Sequence, residues 1–452
     1  MSYTTRLLAE YVLDLDVHQL PSAVGEAVKD CLIDLLAAAA AGATTPPARH
    51  TRRMAASFFA DGPSNVWFTT KRLRPEAAAL VNSAAASALD LDDGQRAAGG
   101  HPGAAILPSV LAVGQAVDAG GRDIIAAATA GYEVAVRIGA ARDFSRLDTL
   151  STGRWSAYGA AAAAGRLRCV TPEVLAQALA IAGVLSPGLS AAGYSAVMGN
   201  QVKEGIPWSV FTGLAALELA EQGMTGPLDI LDHPDYFDGR RILRGLGHTY
   251  AVTDVYFKPY ACCRWIHAAI DGLIDLMAQA AIASEQITGI TVHTFERALR
   301  LNNYPDPPTI EAAQYSVPFC LALAARSGAA ALLPISPTRL TEPKTVALAR
   351  RVCLAVDTDM DRRFPTEAGA RVVVETDRGR YEQTVRFPLG DPRNPLGRPR
   401  LVEKFERLAD GVMTAVDRRR LLEALTAIET GTMADFAPLL QGRPEGSANH
   451  KR

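Results

Sequence analysis

The chain has 452 residues, 48% of them hydrophobic, and its 46 basic and 48 acidic residues leave a net charge of −2. That length allows two or three domains around a sizeable core, and the balanced charge, with no basic stripe interleaved with aromatics, excludes a nucleic-acid footprint. No apolar run reaches the length of a membrane span, and Met1 to Arg6 lack the apolar stretch of a signal peptide.

The first half reads almost entirely as helix. Pro21 and Ser22 open a long apolar helix through Ala40, with proline in a tolerated first-turn position. The Ala-rich run up to Leu91 reads as a buried helix, and further helices are expected over Ala104–Ala119, Asp123–Ala141, Ala157–Leu167, Pro172–Ala182 and Ser209–Gln222. Their small residues at helical spacing suit close helix packing. The turn-rich stretch from His233 to Arg240 marks a boundary. From about Val252 the period changes. Ile287–Phe295 alternates β-branched residues as a strand does, and Arg371–Thr376 with Tyr381–Phe387 forms a hairpin around Asp377-Arg-Gly-Arg. Helices over Trp265–Ala281, Ala312–Arg326 and Thr341–Val352 lie between these strands. Two more are expected at Arg400–Ala409 and Asp417–Glu429, and the polar end, 441–452, reads as a frayed, disordered tail. The expected architecture is therefore mainly α with a smaller α+β domain: residues 1–250 helical and completed by helices of 395–440, and residues 251–394 forming the smaller domain.

Six cysteines, at 31, 169, 262, 263, 320 and 353, include no C-x-x-C pair and no iron–sulfur spacing. They read as free thiols in a reducing cytoplasm. Dinucleotide, Walker, zinc-protease and serine-elbow motifs are absent, and the eight histidines are dispersed, so the expectation is no cofactor and no metal. Chemistry without a cofactor points to proton transfer by side chains.

The stretch Asp90 to Pro108 is the first place to look for it. Asp90, Asp92 and Asp93 interrupt an apolar helix, and charges there are costly unless paired or used. His101 follows in a glycine-flanked turn, and imidazole as a side chain suits proton transfer near neutral pH. A lone histidine reads as structural; the neighbouring carboxylates, which orient a ring and stabilise its charged form, make His101 the acid/base candidate with Asp93 or Asp90 as its partner. A second cluster runs from Phe257 to His267 and carries Lys258, Tyr260, Arg264 and His267 before a helix. Helix starts favour anions, so cations there point to a bound carboxylate. Lys203, preceded by Asn200 and Gln201, and the pair Arg154 and Tyr158, next to an Ala-rich helix, are weaker candidates for the same pocket. Together they suggest a small anionic substrate held by several cations, with proton transfer at carbon.

Read together, these segments resemble the MmgE/PrpD family. The resemblance rests on Leu89-Asp-Leu-Asp-Asp93, His101-Pro-Gly with its apolar helix, Gly131-Tyr-Glu-Val-Ala-Val-Arg137, Tyr158-Gly with Gly165-Arg-Leu, Phe257 to His267, Glu311 to Phe319, Asn394-Pro-Leu, and Lys404-Phe405, in order across nearly the whole chain. It implies an all-helical domain with a smaller lid domain, a homodimer, and a cleft between domains acting on small di- or tricarboxylates without metal or cluster. Activities in the family include dehydration of 2-methylcitrate, decarboxylation of cis-aconitate and epimerisation of iminodisuccinate. Carried over by position, Asp90, Asp93, His101, Lys203 and Lys258 match the site pattern. Gly94 stands where many members have threonine, and Lys203-Glu-Gly-Ile-Pro-Trp replaces the usual K-x-x-H-x-G. Phe319 replaces a tyrosine of the decarboxylase pattern, which turns the expectation toward dehydration of a hydroxy-polycarboxylate. Alternatives are epimerisation through the same carbanion, with Tyr158, Tyr260 or Lys258 as second acid, decarboxylation, and a non-catalytic binding protein on the same fold.

Overall fold

A computed structural model describes residues 2–147, 150–186 and 199–442. The α-helices of the described first half are α1 (Thr4–Asp14), α2 (Ser22–Gly42), α3 (Pro46–Phe58), α4 (Pro75–Ser87), α5 (Gly103–Ala116), α6 (Gly121–Ala140), α7 (Ser156–Leu167), α8 (Pro172–Leu185) and α9 (Ile206–Glu221). Proline in the first turn helps start α3, α4, α8 and α9, and Thr171 caps α8 by accepting the Val174 N–H at 3.4 Å. The helices α1 and α3 add to those expected from periodicity.

The Ala-rich composition is explained by α7, every residue of which but Arg166 is buried. A helix apolar all round belongs inside a bundle. Its neighbours come within backbone contact: a Cβ on Gly159 would lie 2.5 Å from the Gly131 carbonyl of α6, and one on Gly213 of α9 would lie 2.4 Å from the Ala157 carbonyl. The three helices cross where no side chain intervenes.

The short strands β1 (Ser64–Asn65) and β2 (Arg72–Leu73) pair with each other, and β3 (Gly94–Gln95) pairs antiparallel with β4 (Val255–Tyr256) beyond the short helix α10 (Gly239–Leu243). The β3–β4 pair ties the loop after α4 to the second half of the chain, with Gly94 opposite Tyr256.

The second half is built on a four-stranded sheet. The helix α11 (Arg264–Gln279) precedes β5 (Ile287–Thr294). After α12 (Glu296–Leu299), α13 (Ile310–Ala313), α14 (Val317–Ser327) and α15 (Pro343–Ala349) come β6 (Val352–Val356), α16 (Thr358–Arg363), β7 (Ala370–Thr376) and β8 (Gly379–Val385). The order is β6-β5-β7-β8, with β5 parallel to β6 and antiparallel to β7. The hairpin forms with a tighter, two-residue turn, since Thr376 pairs with Gly379. Two expectations need correction. The helix expected to reach Val352 stops at Ala349, and Val352–Val356 is the edge strand β6; a five-residue apolar run cannot be assigned by periodicity alone. The helix expected over Ala312–Arg326 is broken at Gln314–Ser316, where the Ser316 hydroxyl accepts the Phe319 N–H at 3.2 Å and starts α14 afresh.

The chain then returns to the first half through α17 (Arg398–Ala409), α18 (Ala415–Thr426) and α19 (Met433–Phe436). Lys404 of α17 reaches Asp34 of α2 at 2.6 Å, and Arg398 reaches Asp30 at 2.6 Å. The end is not frayed from 441: Gly442 donates to the Thr69 carbonyl at 2.9 Å and the Gln441 amide reaches Asn65. Residues 443–452 of the expected tail lie outside the described residues. Among the described residues no helix is long and apolar enough to cross a membrane.

Candidate active site

Ser87 ends α4, and Asp90 then adopts a left-handed backbone with φ of 55°. That turn sends three carboxylates inward: Asp90, Asp92 and Asp93 are 3%, 1% and 2% exposed. Each meets a different environment. Asp90 Oδ1 lies 3.1 Å from Lys258 Nζ, 3.7 Å from His101 Nε2 and 3.8 Å from Lys203 Nζ. Burial works against its ionisation, but Lys258, Lys203 and His101 outweigh it and hold Asp90 below the usual carboxylate range. Asp92 lies 3.6 Å from His101 Nδ1, and burial raises its pKa against the pull of His101 and Lys258. Asp93 faces the start of α5, where it accepts the Gly103 N–H at 2.8 Å and the Tyr132 hydroxyl at 2.5 Å. Burial pushes Asp93 up to about 6 against those hydrogen bonds. A Cβ on Gly103 would meet the Asp93 carboxylate at 2.5 Å, so the close approach needs glycine.

His101 is oriented differently from expectation. Its Nδ1 lies 2.9 Å from the Asp93 main-chain carbonyl, not the carboxylate. A carbonyl can only accept, so Nδ1 is the donor in that contact, and in the neutral imidazole Nε2 is then the nitrogen with the lone pair. The His101 N–H donates to Thr152 Oγ1 at 3.0 Å, and that hydroxyl donates to Glu204 Oε2 at 2.8 Å. This strut fixes the histidine from behind.

Lys258 lies two residues beyond the end of β4 and is fully buried. Burial disfavours its charge, but Asp90 wins and holds its pKa above the usual lysine value. Lys203 donates to Gln314 Oε1 at 3.0 Å and sits 5.4 Å above the Tyr315 ring. Lys203, Glu204 and Gly205 all have positive φ, at 46°, 58° and 74°. Such backbone costs about 1–2 kcal/mol per non-glycine residue, and it persists at sites where function requires it. Among the described residues the buried oxygens Asp90 Oδ2 and Asp92 Oδ2 have no hydrogen-bond partner, and Lys258 Nζ has only its ion pair with Asp90. Orphaned polar atoms converging at one point need a partner that the chain itself does not supply.

A cavity of about 120 Å³ adjoins this cluster through His101, the member of it that lines the cavity, with Gln95 and Arg96 also from the helical half and Tyr256, Arg264 and Tyr315 from the second half of the chain. Arg264 at the start of α11 donates to the Leu389 and Pro388 carbonyls at 2.8 and 3.0 Å, and burial lowers its pKa.

The remaining candidates fall elsewhere. His267 is fully buried behind Arg264, accepting from its guanidinium at 3.2 Å and donating to the Cys262 carbonyl at 3.1 Å. Burial, then the Arg264 and Lys258 charges, push its pKa well down, so it is neutral. Tyr260 turns away to donate to Asp271 at 2.7 Å. Tyr158 packs in the helical core, where its ring blocks any side chain at Gly183 of α8. Arg154 lies beside Arg142, whose pKa burial and the Arg154 charge bring down to about 9. Thr152, Glu204, Gln314 and Tyr256 join the site without having been singled out from the sequence.

Asp90, Asp92 and His101 also bring one ligand atom each within 4.8 Å of one another, a spacing that a metal ion could use. The donor set does not fit one. Lys258 and Lys203 already press on the Asp90 oxygen, and like charges about 4 Å apart cost about 4 kcal/mol per unit charge in such surroundings. The arrangement suits an anion with a transferable proton.

The MmgE/PrpD N-terminal domain matches residues 6–239, and the MmgE/PrpD C-terminal domain matches residues 260–430. The chain belongs to the MmgE/PrpD family. Its curated relatives include a cis-aconitate decarboxylase from Aspergillus terreus, 27% identical over 97% of this chain and 96% of that protein. Another is a cis-aconitate decarboxylase-like protein, oryM, from Aspergillus oryzae, 26% identical over 96% of each chain. These family relatives are thus enzymes named for a small carboxylate substrate. The C-terminal family domain runs on through α17 and α18, although in space those helices pack against α2.

Proposed function

We propose that the protein is a cofactor-independent lyase that removes a proton α to a carboxylate of a small di- or tricarboxylate, with dehydration of a β-hydroxy acid as the reaction. The carrying observation is the convergence of His101, Lys258 and Lys203 on Asp90, with His101 lining the adjoining cavity. His101 Nε2 takes the Cα proton. The C–H electron pair forms the carbon–carbon double bond, the C–O bond breaks, and the hydroxyl leaves as water with the proton that the imidazolium returns. Lys258 and Lys203 beside Asp90 offer positive charge to the substrate carboxylate and to the enolate-like charge that develops on it. Preorganised charge of this kind is a large contributor to catalysis. Arg264 neutralises a second carboxylate.

Dehydration is preferred over decarboxylation because Phe319, fully buried on α14, supplies no hydroxyl. The names of the relatives favour the second reading, decarboxylation of a cis-aconitate-like acid: the carbon–carboxylate bond breaks, carbon dioxide leaves, and the His101 imidazolium protonates the carbanion. Incubation with a panel of hydroxy-, amino- and unsaturated polycarboxylates in deuterated water, followed by NMR, separates these outcomes. Loss of water supports the proposal, carbon dioxide release supports the second reading, and deuterium exchange without elimination marks an epimerase. No change in any member of the panel overturns the lyase.

A further inference from the structure

Tyr256 stands in the cavity for a reason that lies in Gly94. The two residues are paired across β3 and β4. A Cβ on Gly94 would sit 2.1 Å from Tyr256 Cζ and 2.2 Å from its hydroxyl oxygen. The phenol therefore passes directly over the glycine and fills the space that any side chain at position 94 would need. A glycine within a strand often marks such a close approach. The ring is held on its other side by the Arg264 guanidinium, 4.7 Å from the ring centroid.

The hydroxyl at the end of that ring is unspent: among the described residues no hydrogen bond engages it. Burial keeps the phenol protonated, against the charges of Lys258 and Arg264. It is thus a neutral donor on the wall of the cavity facing His101. Arg264, the cation beside it, has little left to give. Three of its five N–H groups are committed to the Leu389 carbonyl, the Pro388 carbonyl and His267 Nδ1. Arg264 supplies charge and at most two further N–H groups, and the Tyr256 hydroxyl adds a donor beside them.

We propose that Tyr256 is a specificity-determining, substrate-contacting residue whose hydroxyl donates a hydrogen bond to the substrate carboxylate that Arg264 neutralises. The Gly94–Tyr256 pair then acts as one unit, because the glycine is what lets the hydroxyl reach the cavity. The inference rests on the polycarboxylate reading above.

The test compares wild type, Tyr256→Phe and Gly94→Ala, using citrate and cis-aconitate as calorimetric probes and the best substrate of the panel for kinetics. Tyr256→Phe keeps the ring and its contact with Arg264 and removes one oxygen. The expected result is a rise in Kd and KM of about tenfold or more, the loss usual for a hydrogen bond to a charged group, with kcat within about threefold. Gly94→Ala, which removes no polar group, raises KM similarly by displacing the ring, and the double variant is no worse than either single one. Unchanged Kd and KM in a folded Tyr256→Phe protein overturn the assignment while leaving the lyase intact. If wild type binds neither probe and turns over no member of the panel, the polycarboxylate reading and this assignment fall together.

Discussion

Asp90, His101, Lys203 and Lys258 were legible because buried charge needs a partner and each lies in a segment rich in such charge. Tyr158, Tyr260 and His267 offer the same residue types, yet their partners are core packing, Asp271 and the Cys262 carbonyl. Thr152, Glu204 and Gln314 were passed over because neutral or lone polar side chains acquire a role only when folding sets them against His101 or Lys203. His101→Ala is expected to lower turnover by about 10²–10⁴ or more with the circular dichroism spectrum unchanged, as loss of a general acid/base requires. Near-normal kcat in that folded variant removes His101 from the mechanism. Asp93 carries a second prediction. Its unfolded pKa is about 3.9, and in the fold it titrates at about 6. The folded chain therefore binds more protons between those values, and Asp93 costs stability as pH rises from about 4 through 6, by about 3 kcal/mol in all. Asp90 shifts the opposite way, so its contribution is lost only below the ordinary carboxylate range, outside this window. Asp93→Asn should flatten the decline in urea midpoint between pH 4 and 7; a slope equal to wild type refutes the shift.

Among elements, periodicity located the long helices because their apolar faces repeat, and it located the hairpin because β-branched residues alternate. It failed where neighbours decide. Val352–Val356 becomes a strand by pairing with β5, and Gln314–Ser316 breaks a helix so that Gln314 can reach Lys203 and the Ala88 carbonyl. That break lies in a segment whose composition alone favours an unbroken helix. The crossing of α6 and α7 gives the measurable consequence at this scale. Gly159→Ala places a methyl 2.5 Å from the Gly131 carbonyl and 2.6 Å from the Ala135 methyl. Helix propensity favours alanine by about 1 kcal/mol, so an exposed site would gain stability. Here overpacking opposes that gain, typically by about 1–3 kcal/mol and by more where backbone must move. A lower urea midpoint is expected, and a midpoint above wild type shows that the helices separate without cost.

For the whole molecule, the question is how helices at the end of the chain bear on a loop near its start. Lys404 of α17 is buried and donates to Asp34 at 2.6 Å and to the Leu91 carbonyl at 2.7 Å, 313 residues away in sequence. Leu91 lies between Asp90 and Asp92, so this one ammonium fixes the main chain of the acidic loop while neutralising α2 beneath it. Lys404→Met leaves Asp34 buried and unpaired, a change that typically costs about 3–5 kcal/mol. Adding Asp34→Asn removes the stranded charge and should restore much of that stability, but it cannot restore the hydrogen bond to Leu91. If the ammonium positions the loop, kcat of the double variant therefore stays low while its urea midpoint recovers. Recovery of both together would make the pair a matter of packing alone. The positive φ of Asp90 argues against that outcome, because the left-handed turn has to be held by its surroundings, and the Leu91 carbonyl is the next group along the chain through which they can hold it.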